Sequence, residues 1–422
     1  MKRLSAGIIS ALLSLTMTFT PCSISALAAQ ENSQDFSLFF SGPGVSNISS
    51  GDEYSEYQWA LHNTGRLRRT EKVLNIKTLD HIYLHYGENG IDDIALPPLG
   101  PDNFEAINTD AVENIDINIE DAWKTYSETE NKRTVTVAII DTGIDTTHTD
   151  LKNSIWVNED EIPGDGIDND GNGYIDDVNG WNFISNSNEV CVGEEDSHGT
   201  HGAGTIAAAW NNGGIAGIAD NTHVKIMVLK ALGGSDGKGS PESVIEAIKY
   251  AEANGADICN LSFGSTSTSP EFEAAIRDSK MLFVVAAGNG NQYQIGYDID
   301  KSPVYPASLP YDNVITVGNL LFNGHLDDSS NYGTTAVDLV APGTYILSTI
   351  PGNSYAYMSG TSMAAPMVTG AAALIYSART DLSLQDVKTA ILSTVHKLAP
   401  LKGKTATSGM LDVSAAIKWV KN

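Results

Sequence analysis

The sequence predicts an α/β fold of three layers, in which helices flank a mostly parallel central sheet. Short apolar runs that are typical of buried strands lie at 135–140, 224–229, 256–261, 282–287, 314–318 and 337–340. Helical stretches such as 241–253 and 363–378 alternate with these runs. Because strands that alternate with helices form parallel sheets covered on both faces, we expect one α/β domain.

Residues 1–28 have the composition of a secretory signal peptide. Lys2 and Arg3 give a positive start, an apolar stretch follows at 8–19, and Ala26-Leu27-Ala28 is a small-residue cleavage pattern. A membrane anchor is the competing interpretation, but the apolar stretch is shorter than the ~20 residues that span a bilayer. We therefore expect a secreted, extracellular protein without stable membrane anchoring.

The chain is strongly acidic, with 52 acidic and 25 basic side chains and a formal net charge of -27. This charge argues against binding of nucleic acids or of anionic membranes. The densest acidic stretch, 159–177, would repel itself in a compact fold unless cations neutralised it, which indicates a metal site. Signal removal leaves Cys191 and Cys259, and we expect no disulfide between them.

Three polar residues stand where predicted elements begin or end. Asp141 follows the strand 135–140 at its carboxyl end, where open α/β sheets place their sites. His198 enters a helix of small residues, and Ser362 lies where a glycine turn at Gly360 leads into a helix. The order Asp, His, Ser is one that serine hydrolases use for a catalytic triad. We expect Ser362 as nucleophile, His198 as its base and Asp141 as the group that orients the imidazole.

The segments that carry these residues resemble the signature blocks of the subtilisin-like serine proteases. They read AIIDTGID at 138–145, HGTHG at 198–202 and GTSMAAP at 360–366. The resemblance extends from QWALHNTG at 58–65 to the C-terminal helix near Ala415. It implies a serine endopeptidase that hydrolyses peptide bonds in proteins through an acyl-enzyme intermediate. It also places Asn289 at the amide of the family's oxyanion hole.

The resemblance further implies how the chain is divided and what it binds. It implies a subtilisin-like peptidase domain at 58–422, preceded by a short pro-region or extension at 29–57. An unusual segment at about 66–110 would be a divergent pro-region or a surface insertion. Protein or peptide substrates and a monomeric protein are expected. An extended substrate would lie between two edges, formed by Lys238, Gly239, Ser240, Ser262, Phe263 and Gly264.

A candidate calcium site lies in the acidic stretch. In DNDGNGYIDD at 168–177, oxygen-bearing side chains stand at alternate positions and glycine at the sixth, as in a calcium-binding loop. A solvated turn of asparagines and glycines is the other interpretation. The expected ligands are Asp168, Asp170 and Asn172, with the shell completed by Asp165, Asp176 or Asp177.

The resemblance implies a second structural calcium site, because its loop keeps the family's length here. The ligands would be Asp150 and the carbonyl or side-chain oxygens of Ala209, Asn211, Gly213 and Ile215. Calcium that binds only the folded state would stabilise the protein by linkage. For catalysis itself we expect no cofactor.

Two other functions are compatible with parts of the sequence. His198 and His201, with Asp196 and Cys191 nearby, could bind zinc in a zinc hydrolase, but this interpretation leaves the block around Ser362 without a role. The chain could also be a non-catalytic, calcium-dependent binding protein on the same fold. The presence of every residue type that the triad needs argues against that alternative.

Overall fold

The computed structural model describes residues 36–40, 52–74, 83–87, 90–95, 104–233, 237–291 and 294–421. The predicted signal peptide at 1–28 lies outside the described residues. In the described ranges, none of the helices combines the length and the apolar character that a membrane crossing requires.

Strands and helices alternate along most of the chain. The strands are β1 Phe36–Phe40, β2 Leu67–Leu74, β3 Tyr83–Gly87, β4 Gly90–Ala95, β5 Phe104–Asp110, β6 Val135–Asp141, β7 Gly180–Asn182, β8 Val224–Lys230, β9 Ile258–Leu261, β10 Leu282–Ala286, β11 Val314–Leu320, β12 Leu339–Pro342, β13 Ile346–Ile350, β14 Ser354–Met358, β15 His396–Lys397 and β16 Gly409–Met410. The α-helices are α1 Ile119–Ser127, α2 Ser197–Ala207, α3 Pro241–Ala253, α4 Pro270–Arg277, α5 Thr361–Ser377, α6 Leu384–Ser393 and α7 Val413–Lys421.

The central sheet has nine strands in the order β15-β16-β12-β11-β10-β9-β6-β8-β7. Neighbours from β7 to β16 are parallel, whereas the short β15 pairs antiparallel with β16. The apolar runs of the sequence form β6, β8, β9, β10, β11 and β12, with small shifts at their ends. The prediction of a mostly parallel sheet is confirmed, and the carboxyl ends of β9, β6 and β8 lie side by side.

Apolar side chains cover both faces of this sheet. On β6, Val137 and Ile139 belong to a core that includes residues of α2, α5 and α7. Ala138 and Ile140 point to the opposite face and belong to a core formed with α3 and α4. Since successive side chains of a strand point to opposite faces, a continuous apolar strand requires helices on both sides. The three-layer prediction is therefore confirmed.

The segment at 66–110 forms strands of its own outside the central sheet. β2 pairs antiparallel with both β1 and β5, and β3 pairs with β4 in a separate hairpin. Leu67, at the start of β2, is buried in the main core, and the guanidinium of Arg69 lies 5.5 Å from the centre of the Tyr345 ring. The beginning of β2 is therefore anchored on the main domain.

Both cysteines of the described chain are free thiols in this structure. Cys259 is buried in β9, and Cys191 is half-buried in a loop. Burial raises the pKa of the Cys191 thiol to about 12 and raises that of Cys259 as well. The raised pKa disfavours the reactive thiolate form of both side chains near neutral pH.

Candidate active site

The end of β6 and the start of α2 bring Asp141 and His198 together. Nδ1 of His198 lies 2.8 Å from Oδ1 of Asp141, and Nδ1 is the donor because an ionised carboxylate only accepts hydrogen bonds. The Asp141 side chain is 3% exposed and that of His198 is 31% exposed. A buried carboxylate thus fixes the tautomer of a ring that solvent reaches, and Nε2 of the neutral ring is the proton acceptor.

The pKa of His198 is set by opposing effects. Burial lowers the pKa of the ring, but the charge of Asp141 and its hydrogen bond together raise it by more, to above the ordinary histidine value. The backbone N–H of Thr142 donates to the same oxygen of Asp141 over 2.7 Å. This bond helps to hold the Asp141 carboxylate in place beside the imidazole ring.

A glycine allows α2 to approach the end of β6 closely. The N–H of Gly199 donates to the hydroxyl of Thr142 over 3.1 Å. A Cβ on Gly199 would lie 2.3 Å from the carbonyl oxygen of Gly143, which is closer than atoms can approach. Any side chain at this position would therefore push His198 away from Asp141.

Ser362 is the second residue of α5 and follows a glycine turn. Gly360 has a φ of 143°, which favours glycine, and a Cβ there would lie 3.0 Å from Nδ2 of Asn289. The hydroxyl of Ser362 donates to the carbonyl of Ser262 over 3.0 Å, and the hydroxyl of Ser262 donates to the carbonyl of Ser362 over 3.1 Å. Because Ser262 follows β9, the neighbour of β6, Ser362 lies beside the strand end that carries Asp141.

Asn289 is bonded to the residue that precedes Ser362. Its side-chain oxygen accepts from the backbone N–H of Thr361 over 2.8 Å and from the Thr361 hydroxyl over 3.0 Å. The residue is exposed. Since these bonds engage the oxygen, the NH2 group is the part of the carboxamide that can donate to a ligand beside Ser362.

The residues predicted to bind substrate lie at two strand ends. Residues 262–264 follow β9, and the exposed residues 238–240 lie between β8 and α3. β6, which carries Asp141, lies between β9 and β8 in the sheet. Ser240 also caps α3, because its hydroxyl accepts from the N–H of Ser243 over 3.1 Å. The two segments thus flank the strand that ends in Asp141.

The acidic stretch forms a candidate cation site, and the cluster of carboxylates there includes one residue that the sequence did not predict. Carboxylate oxygens of Glu161, Asp168 and Asp170 lie within 4.8 Å of one another. The N–H of Asn172 donates to both aspartates, over 3.1 and 2.9 Å. Glu161 lies outside the predicted loop at 168–177. The sequence pointed to it only through the many acidic residues of the wider stretch at 159–177.

Asp176 and Asp177 are engaged by protein groups in this structure. The carboxylate of Asp176 accepts from the backbone N–H groups of residues 164–166 over 2.7 to 3.2 Å. The carboxylate of Asp177 accepts from the side chains of Asn158, Asn172 and Tyr250. Glu161 joins Asp168 and Asp170 in the acidic cluster, and the expected roles of Asp176 and Asp177 as ligands stay predictions.

Around Asp150, hydrogen bonds hold the loop of the second predicted calcium site. Asp150 accepts from the N–H of Ile215 over 3.0 Å, so the structure brings this carboxylate to the loop at 209–215. The N–H groups of residues 211–213 donate to Asp52 over 3.0, 2.8 and 3.2 Å. The sequence offered no signal for Asp52, because its partners lie far along the chain.

His201 is bonded to a different part of the chain from the pair formed by Asp141 and His198. It is fully buried, and its Nε2 lies 2.9 Å from the carbonyl of Ile346. Burial lowers the pKa of His201 to about 4, so its ring is neutral near pH 7. Among the described residues, the acidic cluster is the set that could hold a metal ion, and it includes neither histidine. The zinc alternative is therefore unsupported.

A three-layer fold in which a hydrogen-bonded aspartate and histidine meet at the end of a central parallel strand is the arrangement of the subtilisin-like serine peptidases. The model of the subtilase family of peptidases matches residues 132–411, which is more than half of the chain. The chain belongs to the subtilase family.

Relatives with assigned names support this membership. The major intracellular serine protease of Bacillus subtilis is 40% identical over 248 residues, which are 58% of this chain and 69% of that protein. Subtilisin DY of Bacillus licheniformis is 36% identical over 291 residues, covering 67% of this chain and 90% of that protein. Subtilisin-like protease 1 of Plasmodium berghei is 36% identical over 308 residues, which are 69% of this chain but 50% of that protein. The chain thus matches about half the length of the Plasmodium relative.

Solved structures of the same kind have the same fold. A cold adapted subtilisin-like serine proteinase is similar with a TM-score of 0.52 and 26% identity, over 67% of this chain and 90% of that one. A structure of proteases from Pseudoalteromonas arctica is similar with a TM-score of 0.54 and 29% identity, over 72% of this chain and 94% of that one. These similarities confirm the subtilisin-like fold.

Proposed function

We propose that this subtilase hydrolyses peptide bonds through a triad of Asp141, His198 and Ser362 and an acyl-enzyme intermediate. The observation that carries the proposal is the 2.8 Å hydrogen bond between Asp141 and His198. It lies at the carboxyl end of β6, and Ser262, which bonds the Ser362 hydroxyl, follows the neighbouring strand β9. This arrangement supports a base with a fixed tautomer near the proposed nucleophile.

In the reaction, Ser362 needs a base because a serine hydroxyl is a weak nucleophile at neutral pH. Its hydroxyl leaves the carbonyl of Ser262 and turns towards Nε2 of His198. Oγ then bonds to the carbonyl carbon of the scissile peptide, and the proton passes to Nε2. The imidazolium gives this proton to the leaving amine as the C–N bond breaks. Water, deprotonated by the same base, then bonds to the acyl carbon, and the imidazolium returns the proton to Oγ of Ser362 as the ester bond breaks.

The negative oxygen of the tetrahedral intermediate would be bound by Asn289 and by the backbone N–H of Ser362. Thr361 holds the side-chain oxygen of Asn289 with two hydrogen bonds, and this orients the carboxamide before substrate arrives. Donors that are oriented in advance lower the barrier because no reorganisation is needed as charge develops.

The proposed substrates are proteins or peptides in an extended conformation. Residues 238–240 and 262–264 flank the end of β6 and would pair with the substrate main chain. Main-chain pairing recognises any sequence, so broad proteolysis of flexible segments is expected, with side-chain pockets adding preference.

A fluorophosphonate probe tests the proposed function directly. It is expected to label Ser362, with the site located by peptide mass spectrometry, and to abolish casein hydrolysis. The S362A variant should stay unlabelled, whereas S302A, at an exposed serine outside the site, should react like the original protein. Folded, processed protein that is neither labelled nor active on casein would overturn the proposal and favour the calcium-dependent binding protein.

The pH dependence of kcat/KM should report the pKa of His198. The ring must be neutral to accept a proton, so kcat/KM falls as the pH is lowered through a pKa that Asp141 raises above the ordinary ~6.5. The D141N variant lacks the charge that raises this pKa. In addition to a lower kcat/KM at every pH, its pH profile should therefore show an acid limb at lower pH than that of the original protein. The control is D278N, at an exposed aspartate paired with Arg277. An acid limb of the original protein centred below about pH 6 would contradict this prediction.

We further propose a structural calcium ion at Glu161, Asp168 and Asp170. Calcium prefers carboxylate oxygens, and three carboxylates this close repel one another unless a cation is present. At the second predicted site, the carboxylates of Asp52 and Asp150 already accept hydrogen bonds from backbone N–H groups of the loop at 209–215. A second ion in that loop stays a prediction.

Removal of calcium is expected to lower Tm by about 5 °C or more, because an ion that binds only the folded state at 100 times its Kd contributes about 2.7 kcal/mol. Thermal melts with EGTA and with added calcium measure this shift. The double variant D168N/D170N should lose the calcium response. D328N, at an exposed aspartate outside the loop, should keep it. Equal Tm values with and without calcium would contradict the proposed site.

Export is proposed from the composition of residues 1–28. The relatives do not decide this point, since one of them is named an intracellular protease. N-terminal sequencing of protein recovered from culture medium tests it, with a start beyond residue 28 expected. Protein that retains Met1 and stays in the cells would overturn export.

A further inference from the structure

Lys230 is a buried lysine at the carboxyl end of β8, and it lies opposite Asp141 in the parallel pair with β6. Its side chain is 2% exposed. An ammonium ion is buried at a large cost in free energy unless it is paired and hydrogen-bonded. The proposed mechanism gives this residue no role, so its position calls for an explanation.

The Lys230 ammonium group joins the segments that carry Asp141 and His198. Nζ donates to Oδ1 of Asp196 over 2.7 Å and to Oε1 of Glu195 over 2.8 Å. It also donates to the carbonyl of Thr142, the residue after Asp141. An ammonium group has three N–H donors, and each has an acceptor here. Its carboxylate partners directly precede α2.

Asp196 has a fixed position between these segments. It is the N-cap residue of α2, the helix that carries His198, and its side chain is fully buried. Its other oxygen, Oδ2, accepts from the N–H groups of Val192 and Gly193 over 2.6 and 2.8 Å. A Cβ on Gly143 would lie 2.3 Å from its Oδ1. Asp196 therefore packs directly on the turn that follows Asp141.

We propose that Lys230 is a positioning residue, whose ammonium group holds the turn after Asp141 and the start of α2 together so that Asp141 and His198 keep their hydrogen bond. This inference rests on the proposed function. In the part of the chain that the structure describes, the hydrogen-bond partners of the Lys230 ammonium group are Thr142, Glu195 and Asp196, which include neither a triad residue nor a residue of the proposed substrate edges. Without the ammonium group, Glu195 and Asp196 would lose the cation that both carboxylates contact, and their mutual repulsion would move α2 relative to β6.

The K230M variant tests the proposal by separating kcat from KM. With active sites counted by probe titration, kcat should fall about tenfold to a hundredfold, because small displacements of catalytic groups have effects of this size. KM should stay within about twofold, since the substrate edges are unchanged. K230R keeps the charge and should recover part of the lost kcat. The matched control is K225M, since Lys225 lies on the same strand but donates to the carbonyls of Asn153 and Asn221.

The proton shared by His198 and Asp141 gives a readout that does not depend on turnover. A strong hydrogen bond to a carboxylate shifts the Nδ1–H resonance downfield in a proton NMR spectrum. K230M should broaden this resonance or move it upfield, and K225M should leave it in place. If the original protein is not labelled at Ser362, the proposed function fails, but this resonance still tests the role of Lys230.

If K230M does not fold, D196N takes its place. An asparagine keeps an oxygen for the N–H groups of Val192 and Gly193 but loses the ion pair, so a fall in kcat of about tenfold is expected. The inference would be overturned if K230M or D196N kept the kcat of the original protein and also left the Nδ1–H resonance unchanged. An equal loss of kcat in K225M would also overturn it, because the effect would then not be specific to the junction with Asp141.

Discussion

Replacement of Ser362 by alanine is expected to lower kcat by about a millionfold, the loss found when a triad nucleophile is removed from an enzyme of this class. The methyl group cannot form the bond to the scissile carbonyl carbon, so the acyl-enzyme cannot form. KM should change little, because the proposed contacts at residues 238–240 and 262–264 remain. The measurement is kcat on a chromogenic peptide amide, with the folded state checked by circular dichroism.

The triad should also behave as a unit. H198A alone should cost about as much as S362A, and the double variant should lose little more, because an activated nucleophile is useless without its base. S302A is the matched control and should keep the original kcat. If S362A retained more than about one thousandth of the original kcat, well above what binding and the oxyanion hole sustain, the serine mechanism would be wrong.

Replacement of Asn289 should give the second largest effect. N289A is expected to lower kcat by about 100-fold to 1,000-fold, or about 3 to 4 kcal/mol, the typical result of removing one oxyanion donor in this family. The donor acts mainly on charge that develops in the transition state, so KM should change little. Steady-state kinetics on the same peptide amide measure both constants.

The alanine variant also removes the oxygen that Thr361 binds, so a second variant is needed to isolate the donor. N289D keeps an oxygen acceptor for Thr361 but brings a negative charge to the oxyanion. It should retain Tm and lose at least as much kcat as N289A. N323A, at an asparagine whose side chain accepts from the N–H of His325, serves as control. A kcat of N289D within about threefold of the original would exclude Asn289 from the oxyanion hole, given the loss expected for one donor.

The sheet and its helices could be predicted because they depend on local patterns. A continuous apolar strand such as 135–140 can be buried only between two helical layers, and the structure places it there. Asp141 and His198 could be predicted for a similar reason, because each follows or begins a regular element whose place in such a fold is fixed. Their hydrogen bond is present.

Contacts between distant segments could not be predicted from the sequence. Glu161 joins Asp168 and Asp170 because the chain folds back over the acidic stretch, and no motif spacing encodes that return. The hydroxyl of Ser362 donates to the carbonyl of Ser262, which lies 100 positions earlier, and no sequence pattern predicts this hydrogen bond. Lys230 follows the apolar run at 224–229, and its buried bonds depend on the meeting of three segments, which no local pattern encodes.

The position of Asp52 limits how far the protein can be shortened for recombinant production. Its carboxylate accepts three backbone N–H groups of residues 211–213, and its partners lie about 160 positions further along the chain. A fragment that began after Asp52 would leave these donors to solvent or unsatisfied, at a cost of about 1 kcal/mol or more for each one that stays buried. An expression boundary should therefore precede Asp52, even though the first family block begins at Gln58.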